Sequence, residues 1–239
     1  MSALDTSKFF FVTGISSGAS PIAMMMYRLG IYMGKNFFKL PGTNELSGED
    51  YRARTVFKKF YQPMLESDEL NEAQKRSARI AIYNCVGKLL DEKDETWRSS
   101  SDQYTFPYAG LKIPPFLEII KIVSDLINGD LLLVNCVRDK ASTLASLASH
   151  NPTKTPLEIE DLFETLESKR KELIKFMPEK NVLNIDYNHV LSASKLVAYK
   201  IIAFGNLDTK YTEVKEAVQH VYNYSDEITV ENQDELINI

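Results

Sequence analysis

Four consecutive apolar residues, Phe9-Phe10-Phe11-Val12, stand near the start of the chain, and Leu131 to Val137 (LLLVNCV) has the same character. Runs this short and this apolar fit strands buried on both faces of a parallel sheet. Lys35 to Leu40, Tyr104 to Ile113 and Asn181 to Tyr187 complete a predicted set of about five. Between them the pattern changes to helical spacing. It predicts helices over Pro21–Met33, Tyr51–Leu65, Glu69–Asp91, Phe116–Asn128, Lys140–His150, from Pro156 to about Met177, Leu191–Phe204 and Tyr211–Tyr222. Pro114-Pro115 stops a strand and suits the first turn of the helix after it, Gly129-Asp130 reads as a turn, and Gly205 ends a helix. Pro41–Asp50 and Glu92–Ser101 read as loops, the second holding the single tryptophan, Trp97. Strands alternating with helices predict an α/β fold, a three-layer α/β/α arrangement with the sheet covered on both faces. Residues 1–224 form one such domain in this reading, and residues 225–239 an acidic, loosely held tail.

Composition narrows the classes. A chain of 239 residues has length enough for a real core, and the net charge of −5 with pI near 5.4 argues against a general nucleic-acid binder. A polyanionic ligand would therefore depend on local cations. Cys85 and Cys136 fall in a predicted helix and a predicted strand, so they read as core thiols of a reducing compartment. His150, His189 and His220 are scattered, and no metal site is expected. The apolar run after Pro21 is too short for a secretory signal and is interrupted by Arg28, so neither a signal nor a membrane span is expected, and the expected compartment is the cytoplasm.

The candidate chemistry begins after the first strand. Thr13, Gly14, Ile15, Ser16, Ser17, Gly18, Ala19 and Ser20 make a strand, tight loop and helix start. Glycines let backbone approach a ligand, and free N–H groups at a helix N-terminus favour an anion such as a phosphate or sulfate. The loop alone fits that role or an ordinary turn equally, because Gly14-x-x-x-Gly18-Ala19-Ser20 has no Walker lysine. In parallel sheets ligands bind at the carboxyl ends of the strands, where Lys112, Arg138 and Tyr187 also fall. Glu49 and Asp50 precede a predicted helix, where a carboxylate suits the dipole.

In their order these segments resemble the sulfotransferases that use 3′-phosphoadenosine 5′-phosphosulfate (PAPS) on a P-loop-like nucleotide-binding fold. Residues 13–20 are similar to the family's 5′-phosphosulfate loop. The strand ending in Arg138-Asp139, with Ser146 eight residues after the arginine, is similar to its 3′-phosphate motif. Lys112-Ile113-Pro114 resembles the Lys-Asp-Pro segment, Asn184 to Tyr187 the late Tyr-Glu-Asp-Leu segment, and Ser47-Gly48-Glu49 the Gly-Gly-Glu of protein-tyrosine sulfotransferases. The resemblance implies an enzyme that moves a sulfuryl group from PAPS to a hydroxyl or amine of an unknown acceptor, without a metal. Thr13, Gly14, Ser16, Ser17, Gly18, Ala19, Ser20, Arg138 and Ser146 would bind the co-substrate; Glu49 and Lys112 would be catalytic. The 3′-phosphate calls for a second anion site away from the glycine loop, and an arginine fork with a nearby hydroxyl suits it.

The chain departs from the family where Ser16 stands for the usual Arg or Lys, Ala19 for Thr, Ile113 for Asp and Lys140 for Pro. Two other readings follow from the same residues: a P-loop small-molecule kinase, with Asp139 on magnesium, or a nucleotide-binding module that has lost its chemistry.

Overall fold

The computed structural model describes residues 4–34, 37–39, 46–66, 70–99, 106–207 and 214–218. At its centre is β1 (Leu4–Gly14), a strand without solvent-facing positions over Phe9–Val12. Side chains alternate across a strand. Phe9 and Phe11 therefore enter one core and Phe10 and Val12 the other. Each such buried aromatic contributes about 1.5–3 kcal/mol in transfer terms.

The helix after the glycine loop, α1 (Ala19–Arg28), is shorter than the apolar pattern predicts. Gly30 takes φ +87° and its N–H donates to the Tyr27 carbonyl, so the helix stops and Ile31–Tyr32 emerges as β2. The apolar run thus holds two elements, both largely apolar because both are largely buried. The predicted strand over 35–40 is β3 (Phe37–Lys39), but it is not in the main sheet. It pairs antiparallel with β4 (Leu46–Asp50), in what reads from sequence as the end of a loop. Residues 41–45 of that loop lie outside the described residues.

Then come α2 (Tyr51–Glu66) and α3 (Glu72–Ser99). The second continues through residues 92–99, which composition assigns to a loop; polar residues on a helix face are compatible with either state. The next elements are β5 (Tyr108–Lys112), α4 (Leu117–Ser124) and β6 (Ile127–Val137). Gly129 and Asp130 lie inside β6, not at a turn. Gly129 packs so closely on the Thr6 carbonyl that a side chain has no room. Beyond β6 stand α5 (Lys140–His150), α6 (Pro156–Phe176), β7 (Val182–Asp186), α7 (Tyr187–Ser192) and α8 (Ser194–Gly205). One helix predicted over 191–204 is two, broken at Ala193. Of the predicted last helix, residues 214–218 are helical; its remaining positions and the tail lie outside the described residues.

The main sheet has five strands in the order β2-β5-β1-β6-β7, all parallel. The α/β/α expectation is met: α1 and α8 cover the Phe10 face, and α2, α3, α4 and α6 the Phe9 face. The chain leaves β1 toward the first face and β6 toward the second. Such a reversal between neighbouring parallel strands opens a crevice at their carboxyl ends. Among the described residues no helix is long and apolar enough to cross a membrane.

Candidate functional site

The loop between β1 and α1 is built against the end of β6. Ser17 Oγ donates to the Cys136 carbonyl at 2.8 Å, and Gly14 sits where a side chain would strike both Ser17 and Cys136. Thr13 is buried and its Oγ1 donates to the Ile113 carbonyl at 3.1 Å, tying the loop's start to the end of β5. Ser16 and Gly18 adopt φ +46° and +79°. Gly18 is the N-cap of α1 and lends no side chain to its first turn, which also lacks an acidic residue. The N–H groups of Ala19 and Ser20 and the dipole of α1 therefore face the crevice without a carboxylate of their own helix.

Lys112 lies beside Val12 in the sheet register, at the end of β5. Its Nζ donates to Ser20 Oγ at 2.8 Å and stands 3.1 Å from Glu49 Oε1. Arg54 Nη1 is 3.5 Å from the other Glu49 oxygen. Three chain segments that sequence reading treats separately, the glycine loop, the end of β5 and the end of β4, thus meet at one ammonium.

The two adjacent carboxylates divide their work. Asp50 is buried and faces away from the lysine: Oδ1 accepts from Arg52 N, as a cap on α2, and both oxygens accept from the Arg52 guanidinium at 2.8 and 2.9 Å. The same guanidinium donates to both oxygens of Glu92 at 2.8 Å, and Tyr32 Oη donates to Glu92 at 3.2 Å. Hydrogen bonds donated to Asp50 lead the effects that raise the Arg52 pKa, while burial and then the Glu92 charge raise that of Tyr32. The capping role open to both carboxylates therefore falls to Asp50.

Arg138 follows β6 directly. Its guanidinium lies 4.6 Å over the ring of Tyr187, at a distance suited to a cation–π contact, and that ring fills the place a Gly18 side chain would take. Asp139 serves as N-cap of α5; its carboxylate accepts from Ser142 N at 2.8 Å, which holds its pKa down. Ser146 is half-buried in the second turn of α5, about 9 Å along the axis from Lys140. The contacts therefore join Lys112, Ser20 and Glu49 in one group, and Arg138, Tyr187 and Gly18 in another that shares the loop.

Sequence reading passed over Arg54, the Arg52 cluster and the ring contact of Tyr187. Asp50-x-Arg52 is a visible cap signal, but Glu92 is distant in sequence and falls in a segment read as loop. Among the described residues no group of three or more His, Cys, Asp or Glu side chains is arranged to hold a metal.

No protein-family model and no curated protein matches the chain. Solved structures match it in fold. The sulfotransferase domain from the Synechococcus PCC 7002 olefin synthase superposes with a TM-score of 0.56 at 14% identity, over 95% of this chain and 82% of that one. The sulfotransferase domain from the curacin biosynthetic pathway gives 0.54 at 12% identity, over 90% and 78%. The sulfotransferase STF1 of Mycobacterium tuberculosis H37Rv gives 0.50 at 15% identity, over 98% and 77%. At these identities the likeness concerns the fold, and the fold of this chain is that of the sulfotransferases.

Proposed function

We propose that this protein binds PAPS across the β1–β6 crevice and transfers its sulfuryl group to a hydroxyl or amine acceptor. The observation that carries the proposal is Lys112. A chain with the sulfotransferase fold has an ammonium held between Ser20 of the anion-binding loop and the Glu49 carboxylate, at 2.8 and 3.1 Å. That cation answers the loop's departure from the family, where Ser16 replaces Arg or Lys: the missing charge arrives from the neighbouring strand.

In this reading the backbone of residues 14–20, with Thr13 and Ser17 shaping the loop, receives the 5′-phosphosulfate. Arg138 and Ser146 take the 3′-phosphate. Transfer forms a bond between the acceptor oxygen or nitrogen and sulfur and breaks the bond from sulfur to the bridging phosphate oxygen. The electron pair of that bond leaves with 3′,5′-adenosine bisphosphate. Lys112 neutralises the charge that develops on the bridging oxygen, and the acceptor proton goes to Glu49.

Calorimetric titration with 3′,5′-adenosine bisphosphate tests the donor side, with ATP as competitor and Arg138→Ala as control. Binding in the wild type that weakens at least tenfold in Arg138→Ala is the expected result. Silence toward both nucleotides would sink the proposal. Binding without release of bisphosphate from PAPS under any acceptor would leave a nucleotide-binding module, the reading that Ser16 and Ala19 favour.

A further inference from the structure

Glu49 reaches Lys112 from a weak element. β4 has five residues, pairs among the described residues only with the three-residue β3, and the register between them is irregular. A two-stranded ribbon is marginal alone, so its own ladder is a poor mount for a catalytic carboxylate. β4 also packs against α1, α2 and β5, and the side chains that tie its end begin with the next residue. Asp50, buried against Gly34 (φ +103°) so closely that a side chain there would clash, is gripped by the Arg52 fork. The same fork is anchored on Glu92 of α3, and Tyr32 of β2 braces Glu92. Because successive side chains point to opposite faces, pinning Asp50 inward turns Glu49 toward Lys112 and Ser20.

We propose that Arg52 is a positioning residue: with Asp50 and Glu92 it fixes the end of β4 so that Glu49 faces the reacting centre. The inference rests on the reading of Glu49 as proton acceptor. An ion cluster with Asp50 buried and Arg52 and Glu92 half-buried is a poor source of net stability, since desolvation offsets much of its Coulomb gain, and apolar residues of similar volume often replace such a cluster without loss. A planar forked cation grips two carboxylates on separate elements with bidentate geometry and thereby sets an angle, which an ammonium, a point charge on a flexible stem, does not. The mount also makes the direction of Glu49 independent of Lys112, so the lysine can release the carboxylate when substrate arrives without the strand moving.

Arg52→Lys keeps the charge and removes the fork. Two measurements on the full chain decide the proposal. In the crystal structure of the variant, the Glu49–Lys112 pair is expected to open beyond salt-bridge distance while residues 13–20 stay in place. In turnover, read as bisphosphate released from PAPS with water as acceptor, Arg52→Lys is expected to lower kcat about 10- to 100-fold. Its affinity for bisphosphate should stay within about twofold of wild type. Adding Glu49→Gln should then cost nothing more. An unmoved Glu49, or losses that multiply in the double variant, would overturn the positioning role. Should Arg52→Lys not fold, Glu92→Gln removes one anchor more gently and carries the same expectations. A wild type that binds nucleotide yet releases no bisphosphate from PAPS with water or with a hydroxyl or amine acceptor would defeat the catalytic reading alone, and the crystallographic comparison would still decide the mount.

Discussion

Gly18 shows how closely single residues are specified at this edge. It combines φ +79°, the N-cap of α1 and direct contact with the Tyr187 ring, over which Arg138 also lies. An alanine there meets two penalties, the left-handed backbone at roughly 1–2 kcal/mol and a collision with an aromatic ring. Gly18→Ala is therefore expected to lower stability by at least 1–2 kcal/mol, roughly, in urea denaturation. Its bisphosphate affinity should also fall, because moving Tyr187 moves Arg138. Unchanged affinity in a folded Gly18→Ala protein would show that the ring does not support the arginine. The motif glycine was visible in the sequence; the reason for it, a tyrosine 169 positions later, was not.

At the scale of elements, α3 is the instructive case. Its 28 residues extend past the predicted end, and the extension delivers Glu92 to Arg52. Gly87 lies inside this helix with no atom within 4 Å of the position a side chain would occupy. Nothing there requires glycine, and its backbone entropy disfavours the helix. Gly87→Ala is expected to raise stability by about 0.5–1 kcal/mol, seen as a higher urea midpoint with unchanged m. A lower midpoint would mean that glycine serves a contact made outside the described residues. Long, periodic elements were the readable ones: α5 runs over the predicted Lys140–His150, and α6 starts at the Thr155 capping box. Short ones were not, because two residues of β2 carry no periodicity and only hydrogen bonds to β5 make them a strand.

For the whole molecule, the net charge of −5 opposes a polyanion at long range, so the proposed binding of PAPS would depend on cations gathered at one edge of the sheet, Lys112 and Arg138. The fold also buries both cysteines. Burial is the leading cause that pushes the Cys85 and Cys136 thiols up to about 12, from an ordinary 9.0. In the unfolded chain the thiols lose their protons near the ordinary value, whereas in the folded protein they keep them. The unfolded state therefore binds fewer protons between about pH 9 and 12, and stability falls as pH rises through that window. The expected slope from each thiol is about 1.4 kcal/mol per pH unit at most. Urea denaturation between pH 8 and 11 measures it, and Cys136→Ala should reduce the slope. A slope untouched by that change would place the alkaline loss elsewhere.

The sequence by itself determined the fold class and the candidate edge. Apolar runs too continuous for a half-exposed sheet require burial on both faces, and glycine and proline mark where the chain must turn. It also placed Lys112, Arg138, Tyr187 and the 13–20 loop at or beside strand ends and Glu49 just before a helix, since those positions follow from local spacing. Only the tertiary structure decided which of them meet. Lys112 touches Ser20 and Glu49 because β5 and β1 are neighbours in a sheet whose order is not the chain order. Asp50 and Glu49, indistinguishable as adjacent acids, acquired separate roles when one face of β4 turned to Arg52 and Glu92. Such choices belong to contacts between residues far apart in the chain, and local periodicity holds no record of them.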